Sequence, residues 1–308
     1  MLNMNRSTSN LALINVSLFS LFWALQLIVS KMAFQAGAQP VSFALHQGVV
    51  ALLFLMILFF RPHVKSIVVL PKSVLVGILA ANAIHFGFGT FFGNAGVALT
   101  SAVNVGFLVK FTLATTILLA WIVLKEPLTK LKIGIALLML TGSYLISTGG
   151  KSLVPHIGDV LIIMACLSWS TGNILVRKAL HGTHISGDLI SLMRPIAGLP
   201  TLLVFIALSP LYPPSVQQMF AISYANFQYA IYFIPSGIFT ALLWIYLNRT
   251  LKVATASYMT MMSTMTSLIV LALAVLVLRE SVSLVQIAGG ALIIISSVVT
   301  HLFGERRK

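Results

Sequence analysis

The sequence predicts an all-α integral membrane protein with ten transmembrane helices arranged as two inverted five-helix repeats. Composition gives the first observation: of 308 residues, 59% are hydrophobic and only 8% are charged, whereas a soluble domain carries about a quarter charged residues. The apolar runs are long and continuous, while barrel strands would alternate over segments of ~10 residues. Charge distribution and an internal repeat supply the other two observations.

Ten apolar windows separated by helix-breaking residues define the candidate spans. They cover residues 11–35, 41–60, 74–95, 101–124, 132–148, 159–179, 188–208, 227–247, 254–278 and 284–303. The first five form a predicted repeat over 11–148, and the last five form a second over 159–303. The longest connector, 209–226, contains three prolines.

The positions of lysine and arginine indicate the orientation. With the N-terminus in the cytoplasm, fourteen of the 19 basic residues fall in cytoplasmic segments, and only Lys151 and Arg279 fall outside. Lys31, Lys110 and Arg194 lie within spans. Because cytoplasmic loops are enriched in basic residues, this bias predicts both termini in the cytoplasm and an even number of spans. We expect a bacterial inner (plasma) membrane protein whose net charge of +14 reflects its loops rather than nucleic-acid binding.

Two basic residues near span ends are expected to act as anchors. Lys31 lies about 30 Å from the cytoplasmic start of the first span, which places it at the outer interface, where a lysine can extend its ammonium into water. Arg177 is its counterpart at the inner interface in the sixth span, and we expect the same behaviour there.

The two halves of the chain resemble each other. The matched segments are FWALQLIVSKMA (22–33) with SWSTGNILVRKA (168–179), and LKEPLTKLKIG (124–134) with LRESVSLVQIAG (278–289). At the 154-residue offset of the second pair, Asn94 falls on Asn248. Because five is an odd number, the second half enters the membrane from the opposite side. Inverted repeats are typical of secondary transporters that bind substrate near the midplane.

The same segments resemble EamA-type members of the drug/metabolite transporter superfamily. The resemblance involves the pattern around Trp23, the E-P-L exit at Glu126 with Gly134, the W…VRK of the sixth span, and the E…VQIAGG stretch from Glu280 to Gly289. It covers nearly the whole chain as two EamA repeats. It implies ten helices, cytoplasmic termini, and export or exchange of small metabolites such as amino acids. It does not identify the substrate.

One position departs from the family pattern. Many members carry an arginine early in both the second and the seventh span; here the seventh span has Arg194, but the second has His46-Gln47. His46 and Arg194 lie in the outer and inner thirds of their spans. We therefore expect gating or structural roles for them, and the same for Glu126 and Glu280 at span exits.

A lysine interrupts the fourth predicted span. The run from Val103 to Leu124, VNVGFLVKFTLATTILLAWIVL, contains Lys110 as its only charge. Counted from Ser101, Lys110 lies about 14 Å deep in a hydrocarbon core of ~30 Å. A lysine at the helix centre costs about 2.5–3.5 kcal/mol on insertion scales, which favours substrate binding over a packing role. Thr264 is its counterpart in the ninth span.

The third span carries a second candidate near the midplane. His85 shares a helix face with Asn82 at i−3 and Gly89 at i+4. Because histidine titrates near neutral pH, His85 is a candidate substrate ligand or proton site. A neutral histidine that shares a hydrogen bond with Asn82 is the alternative. Gly89 and Gly93 are expected to form a helix contact.

Two repeat-related tryptophans predict a binding cavity. Trp23 and Gln26 share a face of the first span, and Trp169 and Asn173 share a face of the sixth. Aromatic walls with a few amides suit a small, partly apolar solute, although such residues also pack helices. Tyr258 and Thr264 of the ninth span are assigned to the same predicted site.

The acidic residues narrow the substrate class. All five lie at span ends or in loops, whereas export of cationic drugs coupled to protons usually needs a buried acid. The leading hypothesis is therefore a secondary transporter of a small carboxylate-bearing metabolite, with an amino acid as first candidate and Lys110 as partner of its anionic group. Coupling by facilitated diffusion, exchange or protons through His85 stays open.

Two alternatives remain. A phosphorylated-metabolite exchanger of the same fold resembles this chain in having a lysine in the fourth span, but Thr264 stands where a further basic residue is expected. A membrane transferase is the remote alternative, with His184 and Asp188 as its only constellation. We expect no cofactor, no metal and no nucleic-acid partner; a homodimer stays open. Cys166 is the single cysteine, so an intrachain disulfide is excluded.

Overall fold

The computed structural model describes residues 6–100, 102–214, 217, 228–279 and 281–303, and all regular elements within these ranges are helical. The first-half helices are α1 (Arg6–Gln35), α2 (Pro40–Val69), α3 (Lys72–Asn82), α4 (Gly89–Ala98), α5 (Ala102–Leu108), α6 (Phe111–Leu124) and α7 (Lys130–Thr148). The second-half helices are α8 (Ile157–Leu180), α9 (Gly187–Ala207), α10 (Ala230–Val253), α11 (Ala256–Met262), α12 (Met265–Leu278) and α13 (Leu284–Phe303). A π-helical segment, Ala83–Phe88, joins α3 to α4, and a 3₁₀ turn, Ser209–Leu211, follows α9.

Nine helices of the described ranges are long and apolar enough to cross a membrane, and Phe111–Leu124 is a shorter apolar helix. The all-helical class is confirmed, and the count of ten spans stays a prediction. Two windows were drawn too short, because α2 continues to Val69 through Pro62 and α10 continues to Val253. Lys31 is exposed near the end of α1, as expected of an interfacial lysine.

Two of the predicted spans are discontinuous, at matching places in the two halves. The fourth breaks at residues 109–110 between α5 and α6, and the ninth breaks at 263–264 between α11 and α12. Each boundary of the second pair follows the first by 154 residues (256 after 102, 278 after 124). Both pairs end on a residue in the left-handed region, Lys125 with φ 56° and Arg279 with φ 55°. Discontinuous helices at corresponding positions are typical of the substrate region of repeat-built transporters.

Hydroxyl groups stabilise the break in the ninth span. Ser263 Oγ donates to the Thr260 carbonyl at 2.7 Å, and Thr264 Oγ1 donates to the Met261 carbonyl at 2.7 Å. Side chains that bond backbone carbonyls compete with the regular helical ladder. Two such residues in succession therefore favour an interruption of the helix at a point that has neither proline nor glycine.

A thiol has the corresponding role in the fourth span. Cys166 Sγ of α8 lies 3.4 Å from the Leu108 carbonyl, and Thr112 Oγ1 donates to the Val109 carbonyl at 2.8 Å. Both carbonyls belong to the turn where the helix is interrupted. Since a carbonyl without a partner is costly in an apolar interior, the break depends on the packing of α8 against α5 and α6.

Arg177, expected to anchor the sixth span at the inner interface, is buried in the protein. Its Nη1 donates to the carbonyls of Leu251 at 2.8 Å and Lys252 at 3.3 Å. Lys252 in turn donates to the Leu180 carbonyl at 3.0 Å. Carbonyls at a helix C-terminus carry partial negative charge, so these cations join the ends of α8 and α10. The charge of Arg177 also lowers the pKa of the His181 imidazole. His181 is the capping residue that follows α8.

The helices α7 and α13 approach each other at a pair of glycines. A Cβ built on Gly142 would lie 2.7 Å from the Gly289 carbonyl oxygen, and one built on Gly289 would lie 2.6 Å from the Gly142 carbonyl oxygen. Both distances are too short for any real side chain. Small residues therefore set the separation of these two helices, as they do in many membrane bundles.

We expect Gly142→Ala to destabilise the protein by about 1–3 kcal/mol, because the new methyl group forces two backbones apart. Gly134→Ala in the same helix is the matched control, since nothing lies within 4 Å of a Cβ there and alanine favours a helix by about 1 kcal/mol over glycine. Thermal unfolding in detergent measures both variants. Equal melting temperatures would contradict the close contact.

Candidate functional site

A cavity of about 370 Å³ lies among helices of both halves. Its volume falls in the range of small-molecule sites, which are mostly apolar with a few polar groups. Its polar and aromatic lining includes Trp23, Gln26, Gln47, His85, Asn94, Thr116, Trp169, Ser170, Asn173, Thr240 and Trp244. None of the described lining residues is Asp, Glu, Lys or Arg, so every formal charge near the cavity acts from behind its wall.

Five of the nine residues predicted to bind substrate line this cavity. They are Trp23, Gln26, His85, Trp169 and Asn173. They come from α1, the π-helical segment and α8, and the structure brings them together as the two repeat-related faces predict. Gln26 Nε2 also donates to Ser30 Oγ at 3.0 Å, which fixes one of the amides at the wall.

Lys110 lies at the helix break beside the cavity but is not one of its lining residues. Its Nζ lies 5.6 Å from the ring centroid of Trp23, within the range of a cation–π interaction. No hydrogen bond or ion pair joins this ammonium to any described residue. Lys110 therefore places a positive charge against a cavity-lining ring.

Three other predicted ligands do not line the cavity. Tyr258 is 2% exposed and its hydroxyl lies 3.1 Å from His301 Nδ1 of α13. Thr264 bonds its own helix, as described above, and Asn82 is fully buried. The helical turn decides this, because the cavity face of α11 presents other residues. Ala256, Met259 and Thr260 form that face, and Ser263 adjoins it at the break.

Glycines of α4 position Trp169. A Cβ on Gly89 would lie 2.2 Å from Trp169 Nε1, and one on Gly93 would lie 3.2 Å from Trp169 Cζ2. The indole therefore lies flush against the glycine face of α4. The predicted helix contact at these glycines is confirmed, and its consequence is the placement of an aromatic wall of the cavity.

His85 projects from the π-helical segment. Gly172 of α8 allows this, since a Cβ there would lie 2.4 Å from His85 Cβ. His85 Nδ1 is buried, and neither it nor the amide atoms of Asn82 has a hydrogen-bond partner within the described residues. The expected hydrogen bond between the two is absent because a π-helix does not stack residues at i and i+3 as an α-helix does. Such segments often occur at functional sites.

Arg194 of α9 lies directly behind the cavity wall and is 0% exposed. Its Nη2 donates to Asn248 Oδ1 at 3.1 Å and lies 3.5 Å from Asn173 Oδ1, and its guanidinium carbon lies 6.0 Å from the Trp244 ring. Its Nε and Nη1 have no hydrogen-bond partner among the described residues. Asn173 and Trp244, the two neighbours of this cation named above, line the cavity.

The second span contributes an amide that sequence analysis treated only as a departure from the family pattern. Gln47 lines the cavity, and its Nε2 donates to Ser236 Oγ at 2.7 Å and to Thr240 Oγ1 at 2.8 Å. His46 lies against Phe233 with ring centroids 5.1 Å apart. His46 therefore has a packing contact, consistent with its predicted structural role, while Gln47 joins α2 to α10.

A short run of hydroxyl groups was also missed. Ser170 Oγ lies 2.6 Å from Thr115 Oγ1 and 2.9 Å from Thr116 Oγ1, and Ser170 and Thr116 line the cavity. Serine and threonine are frequent in membrane helix contacts, so composition alone does not single these out. Their facing positions on α6 and α8 identify them.

Glu126 joins the two repeats at the start of α11. Its carboxylate accepts from the backbone N–H groups of Ala256 at 2.8 Å and Ser257 at 3.2 Å, and from Ser257 Oγ at 2.6 Å. The side chain is 7% exposed. A carboxylate at a helix N-terminus satisfies free N–H groups and the helix dipole. Glu280, its sequence counterpart, lies outside the described residues.

The constellation suggested for a transferase is not assembled. Asp188 forms an ion pair with Arg249, with Nε–Oδ1 at 2.8 Å and Nη2–Oδ2 at 3.0 Å. His184 is exposed. Ser186, rather than Asp188, caps α9 by accepting from the Leu189 N–H at 3.1 Å. Within the described ranges, no three His, Cys, Asp or Glu side chains gather as a metal site requires.

We expect Glu126→Ala to destabilise the protein by about 1–3 kcal/mol, because it leaves buried donors of α11 unpaired. Glu126→Gln keeps one acceptor oxygen and is expected to lose less. Asp188→Ala is the matched control, since its ion pair is partly exposed, at 22% for Asp188 and 42% for Arg249, and such pairs contribute about 1 kcal/mol or less. If thermal unfolding ranks Glu126→Ala no lower than Asp188→Ala, the capping role is wrong.

Comparisons with known proteins agree with this architecture. No curated protein sequence matches the chain. Among solved structures 29 chains match, and one described as "Crystal structure of protein" has a TM-score of 0.77 at 14% identity, over 94% of this chain and 96% of that chain; this likeness shows the fold. The model of the EamA-like transporter family matches residues 10–148 and 156–302. The chain therefore belongs to the EamA-like transporter family of the drug/metabolite transporter superfamily.

Proposed function

We propose that this membrane transporter exports or exchanges a small carboxylate-bearing metabolite, with an amino acid as the first candidate, by alternating access and without ATP. The observation that carries the proposal is the charge pattern of the cavity. Its described lining has no acidic residue, while Lys110 and Arg194 stand behind the wall without an acidic partner among the described residues. A cavity of this kind favours an anionic group.

The wall composition supports a partly apolar solute. Trp23, Trp169 and Trp244 line the cavity together with the amides of Gln26 and Asn173. Aromatic rings offer apolar contact, while amides donate and accept hydrogen bonds. An amino acid with an apolar side chain matches both kinds of surface.

The helix breaks support alternating access by the two repeats. Val109 and Thr112 flank one break, Ser263 belongs to the other, and all three line the cavity. Changing the angle between half-helices would alter both the cavity and its exits. In this proposal, the contact of Glu126 with α11 belongs to the closed cytoplasmic end, with both termini in the cytoplasm of a bacterial cell.

A phosphorylated metabolite is the second candidate within the same fold. The positive charges behind the wall suit a phosphate as they suit a carboxylate. The presence of Thr264 in place of a second basic residue favours the lower charge of a carboxylate. Exchange against inorganic phosphate in proteoliposomes separates the two candidates.

We expect proteoliposomes that contain the protein to take up an apolar amino acid. The carboxamide of the same amino acid is expected to inhibit this uptake only weakly. Lys110→Gln is expected to raise the half-saturation concentration several-fold, by roughly 1 kcal/mol of lost attraction at a partly screened site. Lys110→Arg is the matched control, because it keeps the charge. Wild-type affinity in both Lys110→Gln and Lys110→Ala would show that Lys110 does not attract the substrate.

We also expect His85 to be the proton carrier if wild-type transport depends on pH. His85→Asn keeps a polar group of similar reach but cannot titrate between pH 5 and 8. It is expected to flatten the pH profile of uptake while preserving exchange of substrate. An unchanged profile would remove His85 from the coupling mechanism.

A further inference from the structure

We propose that Arg194 is the residue that distinguishes a carboxylate from its uncharged analogue in the cavity, acting together with Asn173 and His85. This inference rests on the proposed function and assigns its specificity to one side chain. Sequence position suggested only gating or packing for Arg194, because it lies away from the expected midplane. The structure shows instead a buried cation that faces the back of the cavity wall.

The burial of Arg194 makes its charge effective. A guanidinium stays protonated in proteins, and this one is 0% exposed. Among the described residues, its hydrogen bonds go to the neutral amides of Asn248 and Asn173, which do not cancel the charge. A charge in a poorly polarisable interior interacts more strongly than one in contact with water.

Buried polar atoms without a hydrogen-bond partner occur on three residues of this region. Arg194 Nε and Nη1, His85 Nδ1 and both amide atoms of Asn82 are buried without a hydrogen-bond partner among the described residues. His85 and Asn173 belong to the cavity lining. Buried polar groups in proteins are normally paired. In this proposal, a carboxylate held in the cavity provides the negative partner that the Arg194 guanidinium lacks among the described residues.

At the repeat-related position, the residues equivalent to Arg194 and Asn82 form a hydrogen bond with each other. Gln47 and Arg194 are equivalent, since each lies seven residues after the start of its helix (47 after 40, 194 after 187). Ser236 and Asn82 are equivalent at the 154-residue offset (236 and 82). Gln47 donates to Ser236 Oγ at 2.7 Å, whereas Asn82 makes no bond to Arg194. One half therefore satisfies this contact internally, and the other keeps its donors for a ligand.

Lys110 differs from Arg194 in a way that makes it the informative comparison. It is only partly buried, and its ammonium lies over the Trp23 ring. Lysine carries a point charge on a flexible stem, so Lys110 attracts anions without fixing their orientation. Arg194 holds its charge at a fixed, fully buried position beside the Asn173 amide, and a fixed charge favours the carboxylate over a carboxamide of equal size.

The test compares a carboxylate with its carboxamide. The probes are the standard amino acid that the wild-type protein binds most tightly, the carboxamide of the same amino acid, and inorganic phosphate. Binding is followed by quenching of cavity tryptophan fluorescence in detergent, and uptake is followed in proteoliposomes. The readout is the ratio of the dissociation constants of carboxamide and carboxylate.

Arg194→Gln is expected to reduce this ratio by roughly ten- to a hundredfold, to near one, because the buried positive charge behind the cavity wall is lost. Lys110→Gln is expected to reduce it only a few-fold. Arg249→Gln is the matched control, because it removes an arginine from the adjoining helix whose ion pair with Asp188 is partly exposed. This variant should leave the ratio of dissociation constants unchanged. Phosphate binding in place of the amino acid would assign the same residue to a phosphorylated substrate and overturn the carboxylate assignment.

A second variant covers the case in which Arg194→Gln does not fold. Asn173→Asp places a carboxylate where the amide oxygen lies 3.5 Å from Arg194 Nη2, so it supplies an internal counter-ion and keeps the arginine. It is expected to lower the ratio as Arg194→Gln does. A wild-type ratio in either folded variant overturns the role of Arg194. A wild-type protein with no preference for the carboxylate overturns the proposed substrate class itself, and the role of Arg194 with it.

Discussion

A polar group inside a membrane-embedded bundle must find a partner in the protein, in water or in a bound solute, because lipid offers none. The interrupted helices show this constraint most clearly. Where α5 meets α6 and where α11 meets α12, carbonyls leave the helical ladder and are bonded by nearby hydroxyl and thiol groups. Local hydroxyl groups supply these bonds at both breaks, a thiol of α8 supplies one more at the first, and both breaks adjoin the cavity.

The same requirement for a partner explains how Glu126 links the two repeats. The free N–H groups at the start of α11 are satisfied by an acid from the other half of the chain. This contact orients the half-helix whose residues line the cavity. In the same way, Arg177 and Lys252 donate hydrogen bonds to carbonyls at the ends of α10 and α8. Charged residues thus hold helix ends, and the described cavity lining carries none.

Glycines determine which side chains enter the cavity. Gly89 leaves room for the Trp169 indole, and Gly172 leaves room for His85. The helices α7 and α13 meet backbone to backbone at Gly142 and Gly289. In each case the absence of a side chain on one helix allows close approach by another. The shape of the binding site therefore depends on residues that carry no chemistry of their own.

The sequence by itself determined the class of protein, because burial of apolar surface in lipid requires long apolar helices. Its internal matches at an offset of 154 residues predicted that the two halves have corresponding structures. They did not predict that the fourth and ninth spans are broken. The cavity residues Trp23, Gln26, His85, Trp169 and Asn173 were also found from sequence, because they share helix faces near the expected midplane.

Tertiary structure decided the rest, since a position along a span gives depth but not direction. The register of α11 turns Tyr258 toward His301 and away from the cavity. The π-helical segment separates His85 from Asn82. The packing of α9 behind α8 and α10 brings Arg194 to the back of the wall, with donors that its own helix cannot satisfy. Sequence determined that this chain places cations in a membrane. Only the packing of its helices decided which of them faces the cavity wall from a buried position, because burial and direction depend on neighbours that lie far away in the chain.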